Sequence, residues 1–250
     1  QWASSDALLS NLEKNEELKS LLIQETPWLR DARSETEQKK RIALLFDLNK
    51  MKDTQSRALD KLKNNQKSSG AWPWFSGGSD NRFITQHIIG GIGHLNKLNV
   101  TSATPENQSK AEEMTRKAIA YLDAEFVEEY EQMKKYTSNI NHDHLSQIQI
   151  HYLYMRSFFK GIKTSKEVDK ITAYYLGQAK KYWTKKGLYS KGMLALILNR
   201  NGHTTTANKI LKGLKENSIV SDELGMYWKE NTASWYWHQA PIETQALLIE

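Results

Sequence analysis

The 250-residue chain contains no cysteine. Disulfides, thiolate metal sites and cysteine nucleophiles are therefore excluded within it. That absence alone fixes no compartment, because oxidising and reducing environments both tolerate it. Prolines number only four, at positions 27, 73, 105 and 241. The long stretches between them favour helices over a many-turned β-sandwich. No apolar run approaches the roughly 20 residues needed to cross a bilayer, and no signal-peptide pattern opens the sequence. Neither a P-loop nor a Ser-His-Asp motif is present. Gly90-Gly91-Ile92-Gly93 lies inside a helical pattern rather than between a strand and a helix, which removes a dinucleotide-binding reading. The chain opens on Gln1-Trp2-Ala3 and stops inside the apolar run Leu247-Leu248-Ile249, so both ends are expected to be cuts in a longer chain.

Charge of one sign is not concentrated in obvious blocks. The net charge is +6, but Lys39-Lys40-Arg41 follows Glu35 and Glu37, and Lys180-Lys181 and Lys185-Lys186 flank aromatics. Such scatter reads as solvated helix faces, and no nucleic-acid partner is expected.

What is abundant is helical periodicity. Leucines 8, 9, 12, 18, 21 and 22 form a stripe between Ala3 and Gln24, and Ser34-Glu35-Thr36-Glu37 reads as a capping box before Ile42 to Leu48. That segment continues through Leu59 and Leu62 to a turn at Ser68-Ser69-Gly70. Asp80 is expected to cap a helix carrying Ile84, Ile88, Ile89, Ile92, Leu95 and Leu98. Pro105 opens the next, through Tyr130, and further helices are read over Asp143–Phe159, Ser165–Trp183, Leu188–Leu198 and Thr204–Leu214, with a last one from Pro241. The segments Ile84–Leu98, Leu145–Phe159 and Met193–Leu198 are apolar around most of their girth and alternate with amphipathic ones. The first kind must be buried on most sides. The expected architecture is all-α, a double-layered α/α toroid occupying residues 1–250 as one domain of a larger protein, with those three helices on the inside. Gly90, Gly91 and Gly93 would then mark close helix–helix approach in the crowded inner layer.

An internal echo supports the array. Gly70-Ala71-Trp72-Pro73-Trp74-Phe75 leads to Ile84-Thr85-Gln86. Gly225-Met226-Tyr227-Trp228 and Trp235-Tyr236-Trp237 lead to Ile242-Glu243-Thr244-Gln245. The rings Trp72, Trp74, Phe75, Trp228, Trp235 and Trp237 are read as structural plugs at the ends of the helical layers, since tryptophan buries much area and keeps an N–H for a loop carbonyl. The alternative is an aromatic carbohydrate cleft, which requires paired acids across the bond. Asp80, Asp222, Glu223, Glu230 and Glu243 are the acids near the loops, and each also reads as a cap or helix-dipole residue. Histidines 87 and 94, like 144 and 151, are seven apart and so share a helix face, but no His-Glu-x-x-His or third ligand accompanies them. No metal, cofactor or catalytic residue is assigned.

The two blocks carry a family resemblance. Gly70-Ala71-Trp72-Pro73-Trp74-Phe75-Ser76-Gly77-Gly78, with Ile84-Thr85, is similar to the Gly-x-Phe/Trp-x-Trp-Phe-x-Gly-Gly…Thr stretch of α-2-macroglobulin thioester domains. Trp235-Tyr236-Trp237 with Ile242-Glu243-Thr244-Gln245-Ala246-Leu247-Leu248 resembles their later Trp…Ile/Val-Glu-Thr-Ala-x-Ala-Leu-Leu helix, and Leu21–Trp28 with Ser34–Leu48 resembles the bacterial branch. The resemblance implies an α/α toroid inside a large extracytoplasmic protein of the periplasm or cell envelope. Its partners would be the other domains of the parent chain and target proteases, with membrane contact only through the parent's anchor. In that family a bait cleavage exposes a thioester that acylates the attacker. The thioester joins Cys and Gln of a Cys-x-Glu-Gln motif, which this cysteine-free chain lacks. The motif is expected upstream in the parent, and no acylating or activating residue is carried over. Besides the carbohydrate-active toroid (glycosidase or polysaccharide lyase), a helical protein-interaction module is the other reading.

Overall fold

The computed structural model describes residues 48–98, 104–223, 225–232 and 240–250. The expected helices before Leu48 and the rings of Trp235 and Trp237 lie outside these residues. The described chain is mostly helical, with eight α-helices and four short strands. The described residues group into two compact units, 48–64 with 104–108, and 65–98 with the described residues from 109 onward. In the first unit, described over 48–64 and 104–108, the Ser56 hydroxyl donates to Asn107 Oδ1 at 3.5 Å.

Helix α1 spans Leu48–Asn65, α2 Arg82–Lys97, α3 Pro105–Tyr136, α4 Gln147–Arg156, α5 Lys166–Tyr182, α6 Leu188–Arg200, α7 Thr204–Glu216 and α8 Pro241–Ile249. A 3-10 turn, Trp183–Lys185, follows α5. Boundary chemistry accounts for most of these limits. Pro105 opens α3, where its missing N–H costs nothing, and Ser165 Oγ accepts the Val168 N–H at 3.1 Å to cap α5. Asp80 does not cap α2. Asn81 does, its Oδ1 accepting the Ile84 N–H at 2.9 Å, because Asp80 is drawn off by Lys67 Nζ at 2.7 Å.

Within the second unit α2 packs on α4, α4 on α6, and α6 on α8, while α5 and α7 both lie against α6. Helix α4 is buried at every residue from Gln149 to Arg156, and α6 at Met193, Leu194, Ala195, Ile197 and Leu198. The one-sided helices flank them. In α7 only Ala207, Ile210 and Leu214 are buried, one stripe at helical spacing. Phe126 of α3 stacks on Tyr152 of α4 at 4.0 Å and meets Tyr175 of α5 at 5.4 Å, so aromatic contacts join three helices.

Helix α2 departs from expectation. Its apolar girth predicts burial all round, yet only the face holding Thr85, Gln86, Ile89 and Gly93 is buried, and Leu95 is 46 % and Leu98 70 % exposed. The reason is that α4 and the strand Trp72–Pro73 contact it along that one face. Its glycines divide likewise. A Cβ on Gly93 would fall 2.7 Å from the Phe158 ring, so close approach explains that one, whereas Gly90 and Gly91 have nothing within 4 Å.

Candidate functional site

The first aromatic loop is positioned by backbone constraints at both ends. Gly70 has φ +93°, and a Cβ there would lie 2.3 Å from the Lys117 carbonyl oxygen of α3. Only glycine allows both that conformation and that approach. Strand β1, Trp72–Pro73, then pairs antiparallel with β2, Asp80–Asn81, with Trp72 opposite Asn81. The Trp72 N–H donates to Thr85 Oγ1 at 2.9 Å, and the Thr85 hydroxyl donates to the Asn81 carbonyl at 2.8 Å. A buried threonine on the first turn of α2 thus locks the hairpin to the helix. Lys67 closes the loop from outside, reaching the Gly78 carbonyl at 3.2 Å as well as Asp80. Its hydrogen bond to Asp80 holds that carboxyl below its ordinary range.

The rings of this loop do not behave alike. Trp72 is buried, at 2 % exposure, but Trp74 is 65 % and Phe75 69 % exposed. The expectation of a uniformly plugged loop is therefore corrected for Trp74 and Phe75. The strand pair ends at Pro73, so the residues after it belong to the projecting tip. Trp74 only leans on Phe83, with ring centroids 6.4 Å apart.

The second block has the same grammar. Strands β3, Ile219–Ser221, and β4, Gly225–Tyr227, form a hairpin, and Trp228 follows it into the interior. Its indole N–H donates to the Leu214 carbonyl at 2.8 Å, the loop-carbonyl bond that makes a buried tryptophan tolerable. In α8, Thr244 is buried like Thr85, and Gln245 Nε2 donates back to the Met226 carbonyl at 3.0 Å. Glu243 lies exposed in the first turn of α8, where the helix dipole favours it, and Asp222 and Glu223 are exposed in the β3–β4 turn. Glu230 borders a recess of about 510 Å³ with Ser146, Gln147, Lys186 and Ser190, and among the described residues no second acid lines it.

Beneath α2 lies a polar cluster that no motif announces. Arg82 Nε donates to Gln86 Oε1 at 2.9 Å. Gln86 Nε2 reaches His151 Nδ1 at 3.1 Å and the Ile148 carbonyl at 3.2 Å. Because that amide is a donor, Nδ1 accepts and the ring proton of neutral His151 sits on Nε2. The Arg82 guanidinium pairs with Glu129, which also accepts from Gln149 Nε2 at 2.7 Å. Around Arg82, α3 presents further groups. Burial pushes the Glu125 carboxyl up, helped by Glu128, Glu129 and Asp80, and Tyr121 is pushed up to about 12 by burial and then by Glu125. The sequence signal available for this cluster is weak. Arg82 and Gln86 are one turn apart, but the α4 partners of Gln86 are more than sixty residues away and Arg82 pairs with Glu129 on α3.

Burial, then the neighbouring His87 and Arg82, lowers His151 to about 3. An unfolded histidine titrates near 6.5, so the unfolded chain takes the proton first. The stability contributed by the neutral ring is complete above that pH and is lost as pH falls towards 3. Between pH 7 and 5 the expected loss from this group is about 2 kcal/mol. Urea unfolding at the two pH values, on the parent sequence and on His151→Phe, checks it. The variant should show a flatter pH dependence, and equal slopes would remove His151 as the cause.

His87 lies near His151, with ring centroids 6.5 Å apart, and His144 and His94 stand elsewhere. His144 precedes α4 rather than lying on it, so its seven-residue step to His151 does not place the two on one helix face. Its Nε2 instead meets the Asn139 carbonyl at 2.9 Å. His94 Nε2 lies 3.0 Å from the Tyr154 hydroxyl. Among the described residues no group of three His, Asp or Glu side chains is placed to hold a metal ion. Comparison with known protein families, with curated proteins and with solved structures returns no match for this chain.

Proposed function

We propose that this chain is the thioester-domain-like segment of a bacterial α-2-macroglobulin-like protease trap, built as an α/α toroid and without catalysis of its own. The observation that carries the reading is the repeated block. In each copy a hairpin with a positive-φ glycine, Gly70 before the first and Gly225 at the start of the second strand of the other, precedes a helix whose first turns hold a buried threonine followed by a glutamine, at Thr85-Gln86 and Thr244-Gln245. The first block and the helix from Ile242 belong to the motifs on which the family resemblance rests, and Thr85 and Thr244 are both buried. The succession of buried α4 and α6 with one-sided α5 and α7 is what a double-layered toroid requires. On this reading the segment works in the periplasm or cell envelope, against neighbouring domains of its parent, and helps to enclose a protease.

The chemistry follows from the missing cysteine. Acylation of an attacker breaks a thioester by nucleophilic attack at its carbonyl, with a thiolate leaving, and no residue of this chain supplies that sulfur. Incubated with labelled methylamine, the 250-residue chain is expected to gain no mass, whereas a longer parent holding the Cys-x-Glu-Gln motif takes up one label per chain and loses it when that Cys becomes Ser. Label on the isolated chain overturns the proposal. A parent that never takes label would move the function towards steric trapping or a helical interaction module.

One observation favours a second reading, a carbohydrate-active enzyme. Lys67 holds Asp80 low, burial pushes Glu125 high with Asp80 among the charges that raise it, and Trp74 is exposed on the same loop as Asp80. Carboxyls pushed apart in this way suit an acid and its ionised partner. The tryptophan substitutions discussed below separate the two readings.

A further inference from the structure

Charge of one sign forms no contiguous block, yet basic residues are in excess over one long stretch of the chain. Between Lys160 and Glu216 there are thirteen lysines and arginines against three acids, an excess larger than the +6 of the whole sequence. The remainder is net acidic. The fold concentrates part of this excess at one end of two helices. The last turn of α5 and the 3-10 turn after it expose Lys180, Lys181 and Lys185. The loop leaving α3 is tied against them. The hydroxyls of Tyr174 and Tyr182 donate to the carbonyls of Ile140 and Asn141, and the Tyr130 and Tyr174 rings meet at 5.2 Å. Lys134 and Lys135, in the last turn of α3, therefore join the same patch.

The acids nearby are already engaged, Glu131 with Lys134 and Asp143 with Lys186. Among the described residues Lys135, Lys180, Lys181 and Lys185 form no ion pair. Exposed apolar groups accompany these lysines. Tyr136 is 76 % and Ile140 37 % exposed, and Lys181 and Lys185 both lie over the Tyr182 ring, at 4.9 and 5.4 Å.

We infer that this end of the α3–α5 pair is a docking surface for an anionic lipid bilayer, bound through its headgroups. Every cation in the patch is a lysine. Lysine is a compact, hydrated point charge suited to diffuse headgroup charge, whereas bidentate reading of nucleic-acid phosphates and bases favours arginine. Clustered lysines attract anionic headgroups, and tyrosine settles at the headgroup level with its ring inward and its hydroxyl wet. The surface does not rest on the trap reading, which uses α5 only as a one-sided helix of the fold.

Co-sedimentation of the 250-residue chain with vesicles tests this. One set holds phosphatidylcholine alone and the other is mixed with phosphatidylglycerol. Binding is expected only to the mixed vesicles and is lost at high salt, which screens exposed charge. The triple variant K180E/K181E/K185E should bind roughly tenfold or more weakly with unchanged thermal unfolding. K163E/K166E/K170E, the same charge change placed about 25 Å away at the other end of α5, should retain most of the binding. Equal binding to neutral vesicles overturns the inference. So does an equal loss from both triple variants, which would report net charge and not a surface. Tighter binding to duplex DNA or to polyglutamate than to the vesicles overturns it as well.

Discussion

Replacing Trp72 with alanine is expected to lower the unfolding free energy by about 3–5 kcal/mol, whereas Trp74→Ala should stay within about 0.5 kcal/mol of the parent. The two rings are two residues apart and chemically identical, and the difference comes from enclosure alone. Trp72 is 2 % exposed in a hairpin whose N–H is held by Thr85, and its removal leaves a cavity the size of an indole. Trp74 leans on Phe83 and keeps most of its surface in water. Urea unfolding of both variants measures this directly. The same pair tests function. Were Trp74→Ala to abolish oligosaccharide binding that the parent displays, with stability untouched, the exposed tip would belong to a sugar site and the second reading would displace the trap. A loss under about 1 kcal/mol for Trp72→Ala would show that the hairpin is not a structural plug at all.

Asp123→Ala should be as costly, about 3–5 kcal/mol, for an electrostatic reason. Asp123 Oδ1 accepts from the Tyr152 hydroxyl at 2.6 Å and from Arg156 Nε at 3.2 Å. The side chain of Arg156 is 9 % exposed, and its remaining donors are committed to the carbonyls of Phe159, at 2.6 Å, and Ile162, at 2.8 Å. Without the carboxylate a buried guanidinium has no counter-charge and a buried phenol has no acceptor. Asp123→Asn keeps an acceptor and should lose less. In the Asp123→Ala background, Arg156→Met should recover part of the loss, because it removes the stranded charge. If Arg156→Met instead adds its full cost on top, the pair is not coupled and the account fails.

Particular elements show how much was legible beforehand. Helix α7 is readable because Ala207, Ile210 and Leu214 repeat at helical spacing and are its buried positions. Helix α4 is readable because apolar residues occupy nearly its whole girth, and its burial follows. Helix α2, apolar around most of its girth, was expected to share that fate, but its outer face carries exposed Leu95, and Leu98 just past its end is exposed too. Composition reports what a helix can bury and says nothing of whether a neighbour is present on each side. The tryptophans make the same point at smaller scale. A ring in a loop signals area available for burial, and only the length of the strand pair decided that Trp72 turns in and Trp74 projects.

By itself, then, the sequence determined what is local. Proline scarcity and 3.6-residue periodicity specify helices, and Ser165, Pro105 and the glycines at the hairpins specify where they begin and turn. The absence of cysteine rules out thiol chemistry within the chain. The tertiary structure alone decided the long-range pairings, among them Gln86 with His151, Arg82 with Glu129, and Asp123 with Tyr152 and Arg156. It also decided that lysines from α3 and α5 end in one patch. The physical reason is range. Periodicity and capping act within a few residues of backbone and leave their mark in spacing. A buried ion pair depends on which helix faces meet across the core, and that is fixed only when the packing of all of them is solved together.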